Sequence, residues 1–479
     1  MAVLEHLEPK GVFTFFEQLC AIPHGSYNTK QVSDWLTAFA VERGLEHYQD
    51  ADGNVIIIKE AAPGYENAAP VIFQGHMDMV CEKAPGCEKD IAAEGLELVI
   101  DGDFVRAEGT TLGGDDGIAV AAALAILDAD DIPHPRFEAV FTVDEEVGME
   151  GAASIDVSPL KGRRMLNMDS ENEGVFTVSC AGGNLTRCLL PVAREPFAGT
   201  PLHITVEGLI GGHSGVEIDK GRANANMLLG RVLYAVSRET GLRIAAVRGG
   251  LKDNAIPVKA EAEIVAADAE TARAVCARME EAFRNEFCVT DPGVIVRVTD
   301  AALSFAPMDE DSTQRTLCLL TCAPNGIQNM SADIEGLVQT SLNLGVLSTE
   351  LTSVEASFCV RSSVATQKQM LVDRLQCLTD TLHGVLTVSG DYPGWEYLQE
   401  SPLRDLMTEV YTEQYGAAPK IEAIHAGVEC GMFAGKLPGL DCVSFGPDLF
   451  DIHTFRERMP IASVQRTWKL LLEVLKRMK

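Results

Sequence analysis

The period of the hydrophobic pattern changes along this chain. In the first part, residues 12–20 and 30–43 carry apolar positions at helical spacing, whereas 55–59 and 70–73 are short apolar runs that predict buried strands. An Ala/Leu/Ile run, 117–128, predicts a helix, and 137–143 and 165–168 predict two more strands. Near the end, 441–445 reads as a strand and 464–478 as an amphipathic helix with Lys and Arg late. This alternation predicts a doubly wound α/β domain.

Between roughly 184 and 395 the pattern shortens. Alternating strands at 203–207, 242–247, 258–266 and 293–298 surround helices at 222–238 and 270–287. The order β-α-β-β-α-β resembles a ferredoxin-like split sandwich. A second set follows, with paired strands at 336–348 and 351–360 and a helix at 367–382. We therefore expect one α/β domain made of residues 1–183 and 396–479, interrupted by an inserted α+β domain, 184–395. Element order alone suggests that the insert is doubled.

The chain has 479 residues, enough for two cores, with 46% hydrophobic and 23% charged residues. No apolar run is long enough to span a membrane. The N-terminus lacks a basic segment followed by an apolar one, so no secretory signal is visible and a cytoplasmic address is expected. Net charge is −31, from 70 acidic and 39 basic residues, with no basic cluster. That surface argues against nucleic acid and against anionic membrane as partners. Thirteen scattered cysteines without a CxxC pair fit reduced thiols better than a disulfide framework. Cys81, Cys180, Cys359 and Cys442 lie in apolar or strand-like stretches.

Candidate chemistry gathers in five short segments at strand ends or helix starts. These are Gln74-Gly75-His76-Met77-Asp78, Gly113-Gly114-Asp115-Asp116-Gly117, Asp144-Glu145-Glu146-Val147-Gly148, Asn167-Met168-Asp169-Ser170 and Asp451-Ile452-His453. In open α/β sheets ligands bind beyond the carboxyl ends of the strands, so these segments fall in one layer. His76 and Asp78, two apart on an extended chain, face one side, and Asp78 is the natural partner for the far ring N–H of His76. An Asp after two glycines can offer both carboxylate oxygens to two cations, although helix capping alone also favours Asp there. Adjacent Glu145 and Glu146 leave an extended backbone in opposite directions, so one can hold a metal while the other serves as general base. Two histidines with several carboxylates are the ingredients of a two-metal hydrolytic centre.

Other hydrolytic or nucleotide-binding signatures are missing. The sequence has no H-E-x-x-H helix, no G-x-x-x-x-G-K-[ST] loop and no G-x-S-x-G elbow. His213 and Ser214, in Gly211-Gly212-His213-Ser214-Gly215, would point apart and lack an orienting acid, so serine catalysis is not expected. The glycines instead suggest a mobile loop presenting His213.

With these residues in place, the chain resembles the PepD-type aminoacyl-histidine dipeptidases. These are Xaa-His dipeptidases, carnosinase-like members of the co-catalytic zinc peptidases. The likeness runs through Ile22-Pro23-His24-Gly25-Ser26, through 74–83 and 112–117, through Asp144-Glu145-Glu146-Val147-Gly148, and through His425-Ala426-Gly427-Val428-Glu429-Cys430-Gly431. Gly114 and Asp116 depart from it, standing where relatives often carry Ala and Asn.

The resemblance implies a metal-binding catalytic domain with a lid inserted into it. It makes Asp115 a bridging ligand whose bond to Asp116 is cis, His76 and Asp169 the rest of one metal site, and Glu146 and His453 the rest of the other. Glu145 is implied as general base and later proton donor. His213 would stabilise the oxyanion on lid closure, while Asn254 and Arg361 hold the terminal carboxylate of a small peptide substrate. The cofactors expected are two divalent ions, zinc, or alternatively Mn or Co. The rival activity is that of a deacylase or carboxypeptidase of the same clan acting on N-acyl amino acids. A doubled lid would let His213 and Arg361 serve the same chain, so a homodimer is allowed but not required.

Overall fold

The computed structural model describes residues 3–479. They form two compact units. One comprises the residues up to Ser179 with Tyr397–Ala423 and Val428–Lys479, and the other Cys180–Glu396 with Ile424–Gly427. Among the described residues, no helix is long and apolar enough to cross a membrane.

The first unit is built on an eight-stranded mixed sheet. Its centre is parallel: Val71–His76 lies between Phe137–Thr142 and Arg164–Asn167, and Asp441–Ser444 continues the parallel block. Val71–His76 and Phe137–Thr142 are buried at every position, which is why their sequences read as continuous rather than alternating runs. Antiparallel Val55–Lys59 and Glu46–Gln49 extend one side.

The helix Gly114–Asp128 is buried along its length through Leu127, so its Ala-rich composition reflects close packing on all sides. Glycines permit that packing. A Cβ at Gly117 would lie 2.9 Å from Leu19 on the helix Lys10–Cys20, and one at Gly75 would collide with Asp116 Oδ2 and Ala119. The helix therefore delivers its N-terminus directly to the end of Val71–His76.

The second unit has one continuous antiparallel sheet containing two ferredoxin-like motifs. In the first, Thr200–Glu207, Leu242–Gly249, Ala260–Ala266 and Ile295–Asp300 are its strands 1 to 4, paired in the order 4-1-3-2. Ala225–Glu239 and Ala269–Glu286 are its helices, each opened by a side-chain cap, Asn224 and Asp268. In the second, Gly182–Pro191, Val338–Thr349, Ser353–Ser362 and Val385–Tyr392 repeat the order 4-1-3-2, with helices Glu310–Cys322 and Ala365–Thr381. The two motifs join where Gly249 faces Leu347. The first motif is nested inside the second, between its first strand and first helix. Sequence periodicity identified the strand pair and last helix of the second motif. It missed Gly182–Pro191, because that strand's partners lie more than 150 residues away in sequence.

Among the described residues the cysteines form no disulfide. Cys180 and Cys442 are buried as their surroundings suggested, but Cys81 is exposed and Cys359 half-buried.

Candidate metal centre

Asp115 sits where the chain cannot yet be helical. Gly113 has φ +69°, and Asp115 and Asp116 leave helical geometry before the regular helix begins at Gly117. The Asp115–Asp116 peptide bond is cis. This turn divides the Asp115 carboxylate between two imidazoles: Oδ1 lies 3.2 Å from His76 Nε2, and Oδ2 lies 3.1 Å from His453 Nε2.

Around His76, Asp169 Oδ1 stands 3.7 Å from Nε2. The far nitrogen, Nδ1, is 3.0 Å from the carbonyl oxygen of Asp78 and 3.3 Å from its Oδ1. Asp78 thus engages the ring through both main chain and side chain, directing Nε2 at the other carboxylates. Around His453, Glu146 Oε1 is 2.9 Å from Nε2. That oxygen is buried and lies out of line for a hydrogen bond, so it has no hydrogen-bond partner. His453 and Asp451 both adopt positive φ, 58° and 54°, in a loop closed by reciprocal Phe450–Arg458 backbone bonds.

Glu145 and Glu146 do not continue an extended strand. Asp144 is left-handed, φ 53°, and its carboxylate accepts the backbone N–H of Tyr27 at 2.6 Å. Asp78 accepts the N–H groups of Glu145 and Glu146, at 3.0 and 3.4 Å, and the Ser26 hydroxyl at 2.8 Å. The pair is separated by a pinned turn and not by strand alternation.

Below the centre lies an acid that sequence reasoning did not single out. Glu429 is fully buried and accepts from Gln74 Nε2 at 2.5 Å and Thr142 Oγ1 at 2.7 Å. Gln74 in turn accepts from Asn167. The motif 425–431 carries it, but nothing local in that stretch marks Glu429 as buried.

The electrostatics describe a cluster with too much negative charge for its burial. Burial, with Glu429, Glu146 and Asp115 nearby, pushes Glu145 up to about 8. Burial raises Glu429 to about 7, and burial with Asp116 and Asp115 raises Asp169 well above the carboxylate range. Asp116, also buried, is raised similarly. Burial works against charge on His76 and Asp115 as well. Hydrogen bonds between them and to Asp78 and His453 overcome it, holding His76 high and Asp115 low. The hydrogen bond to Asp115 and the close Glu146 carboxylate raise His453 to about 10. Divalent cations would relieve this conflict without protons. The donor set fits them: His76 with Asp116 and Asp169, and His76 with Asp115 and Glu146, are groups whose ligand atoms converge within 4.8 Å. The unpartnered Glu146 oxygen fits them too.

The remaining sequence-selected residues occupy the second unit. Gly212–His213 pairs with Ala255–Ile256, placing His213 opposite Ala255, and Ser214 N–H donates to the Asn254 carbonyl at 2.9 Å. His213 Nδ1 accepts N–H groups from Gly215 and Val216, at 3.1 and 3.2 Å. That leaves Nε2 to carry the proton in the neutral ring. Burial and the positive Arg361 lower His213 from its ordinary value, favouring that neutral form.

Asn254 and Arg361 line one open cavity of about 430 Å³ with Asp253, Cys359 and Tyr392. Arg361 donates to Tyr392 Oη at 3.1 Å, and its buried Nε has no partner. Gly183, opposite both Arg361 and Tyr392, leaves the space: a Cβ there would lie 2.7 Å from Tyr392 Oη. His425, whose Nε2 is 2.7 Å from Ser341 Oγ, completes this basic cluster.

Comparison with known proteins adds identity to geometry. Residues 72–477 match the model of peptidase family M20/M25/M40. The chain is 36% identical over 485 aligned positions to the cytosol non-specific dipeptidase of Escherichia coli (strain K12), covering 99% of each protein. Its structure matches that of an aminoacylhistidine dipeptidase from Vibrio alginolyticus with TM-score 0.94 and 35% identity, over 99% of this chain and 97% of that one. The aminopeptidase PepT from Bacillus cereus ATCC 10987 shares the fold at TM-score 0.56 and 16% identity, over 98% and 99% of the chains.

Proposed function

The chain belongs to peptidase family M20/M25/M40, and from that premise we propose that it is a metallo-dipeptidase that hydrolyses short peptides, Xaa-His dipeptides among them. The full-length relatives named as a cytosol non-specific dipeptidase and an aminoacylhistidine dipeptidase support this reading, and with it a cytosolic address. The observation that carries it is the division of one carboxylate, Asp115, between His76 and His453 at 3.2 and 3.1 Å.

In this proposal His76, Asp115 and Asp169 would hold one zinc ion, and Asp115, Glu146 and His453 would hold the other. Bound there, two divalent cations would supply Lewis acidity toward a peptide carbonyl and toward water. Glu145 would act there as a carboxylate, against the upward shift that its burial causes. The Glu145 carboxylate takes the proton of the attacking water and delivers it to the leaving amine. Asp78 keeps the His76 ring and the Glu145 backbone in register. His213, with its proton on Nε2, donates to the developing oxyanion. The Arg361 guanidinium and the Asn254 amide hold the substrate's terminal carboxylate.

The test is a substrate panel on zinc-, manganese- and cobalt-reconstituted protein. Xaa-His and other dipeptides should be cleaved, and N-acyl amino acids spared. Faster cleavage of N-acyl amino acids than of any dipeptide would replace the reading with a deacylase.

A further inference from the structure

One buried carboxylate outside the ligand set binds a turn to a distant loop. Glu457 is 3% exposed. Its Oε2 accepts the N–H groups of Leu112 and Gly113 at 2.8 and 3.0 Å. Its Oε1 accepts that of Gly114 at 2.8 Å and approaches that of Asp115 at 3.5 Å. A single side chain thus satisfies the run of main-chain donors leading into Asp115, which helix geometry leaves unpaired at an N-terminus. The fit is close: a Cβ on Gly114 would lie 3.2 Å from Glu457 Oε1.

Glu457 also belongs to the loop that carries His453. Glu457 N–H donates to the Thr454 carbonyl at 3.1 Å, and Thr454 Oγ1 donates to the Asp451 carbonyl at 2.7 Å. His453, with φ 58°, is 45% exposed in its side chain. The loop around it therefore needs an anchor to hold Nε2 against Asp115. His76 and Asp169 have another source of order, since they stand at the ends of neighbouring parallel strands.

We propose that Glu457 is a positioning residue for the cation held by Asp115, Glu146 and His453. It locks the Asp115 turn and the His453 loop into one rigid piece, so that this cation site is assembled before the cation arrives. The proposal rests on the two-cation reading above. It assigns Glu457 to one of the two sites, whereas Asp115 serves both.

The test titrates metal-stripped full-length chain with zinc against a chromophoric chelator, in the wild type, Glu457→Gln, Glu457→Asp and Asp115→Asn. Gln turns one acceptor oxygen into a donor facing N–H groups. Asp keeps the charge but is one methylene too short, and it carries the test if the Gln variant does not fold. We expect both Glu457 variants to keep one zinc with its Kd within about twofold of wild type, and to weaken the other about tenfold or more. kcat should fall at limiting zinc while the KM for dipeptide stays within about twofold. Asp115→Asn should weaken both sites. Metal-free melting temperatures separate the alternative: a lower melting temperature with both zinc constants unchanged would make Glu457 merely structural and overturn the proposal. Equal weakening of both sites by the Glu457 variants would overturn it as well. A wild-type chain holding fewer than two zinc ions would overturn this proposal and the two-cation reading together.

Discussion

Asp78 Oδ1 accepts the backbone N–H of Glu145 at 3.0 Å while lying 3.3 Å from His76 Nδ1. One carboxylate oxygen therefore touches both the imidazole assigned to a cation and the main chain of the assigned general base. The second oxygen accepts from Ser26, so the carboxylate itself is held. The assigned proton acceptor and the assigned ligand are thus coupled through one buried carboxylate.

Asp78→Ala should therefore damage two functions at once. Loss of an outer partner of a ligand histidine typically weakens metal affinity about 10–100-fold. Freeing the Glu145 turn should lower kcat further, even at saturating zinc. Metal titration beside kinetics at high zinc checks this, and full recovery of kcat with excess zinc would show that the Glu145 bond is idle.

Glu145→Gln and Asp115→Asn should separate proton transfer from metal binding. The first removes the proton shuttle but no ligand, so both cations should remain while turnover falls by about 10²–10⁴-fold. The second should lower metal content and affinity at both sites. Elemental analysis of the two purified variants decides, and stoichiometric metal loss from Glu145→Gln would sink the assignment.

Arg361→Ala should discriminate against a free carboxylate. With the guanidinium gone, kcat/KM for a dipeptide should fall by about 10–100-fold, the equivalent of a charged hydrogen bond of roughly 1.5–3 kcal/mol. The corresponding dipeptide amide, which offers no carboxylate, should change by less than about threefold. Equal losses on the two substrates would remove Arg361 from carboxylate recognition.

His425 gives the second unit an acid-sensitive point. Burial, then the positive Arg361 with His213 nearby, lowers its pKa to about 3, against about 6.5 for an unfolded histidine. The folded chain keeps the ring neutral where the unfolded chain would protonate it. Its contribution is thus complete above pH 6.5 and declines as pH falls toward 3, by about 1.4 kcal/mol per unit. Urea unfolding at pH 7.5 and 5.0 should show the wild type losing roughly 2 kcal/mol more than His425→Gln, which replaces the ring with an uncharged amide. Parallel losses in the two proteins would place the ring in solvent.

Much of the centre was legible because its signals are local. His76, Asp115, Glu146, Asp169 and His453 follow apolar runs or open a helix, and strand ends in an α/β sheet share one layer. The burial of Val71–His76 on every position and the Ala-rich helix from Gly117 are likewise properties of a few consecutive residues. Glycines 113 and 114 mark in the sequence the tight turn that precedes Asp115.

Residues whose roles depend on remote partners left no such mark. Glu457 reads as one more acid among seventy, yet its partner Gly114 lies 343 positions away. The segments of His213 and Asn254 are joined only because Gly212–His213 pairs with Ala255–Ile256, and Arg361 gains its space from Gly183. The nesting of one ferredoxin-like motif inside the other was equally hidden, since Gly182–Pro191 precedes the motif it does not belong to. Periodicity encodes which face of an element is apolar, and so the sequence by itself determined the elements, the α/β class and the donors at strand ends. Which strand lies beside which, and which buried carboxylate meets which backbone, depends on closing long loops around a common core. Only the tertiary structure decided those.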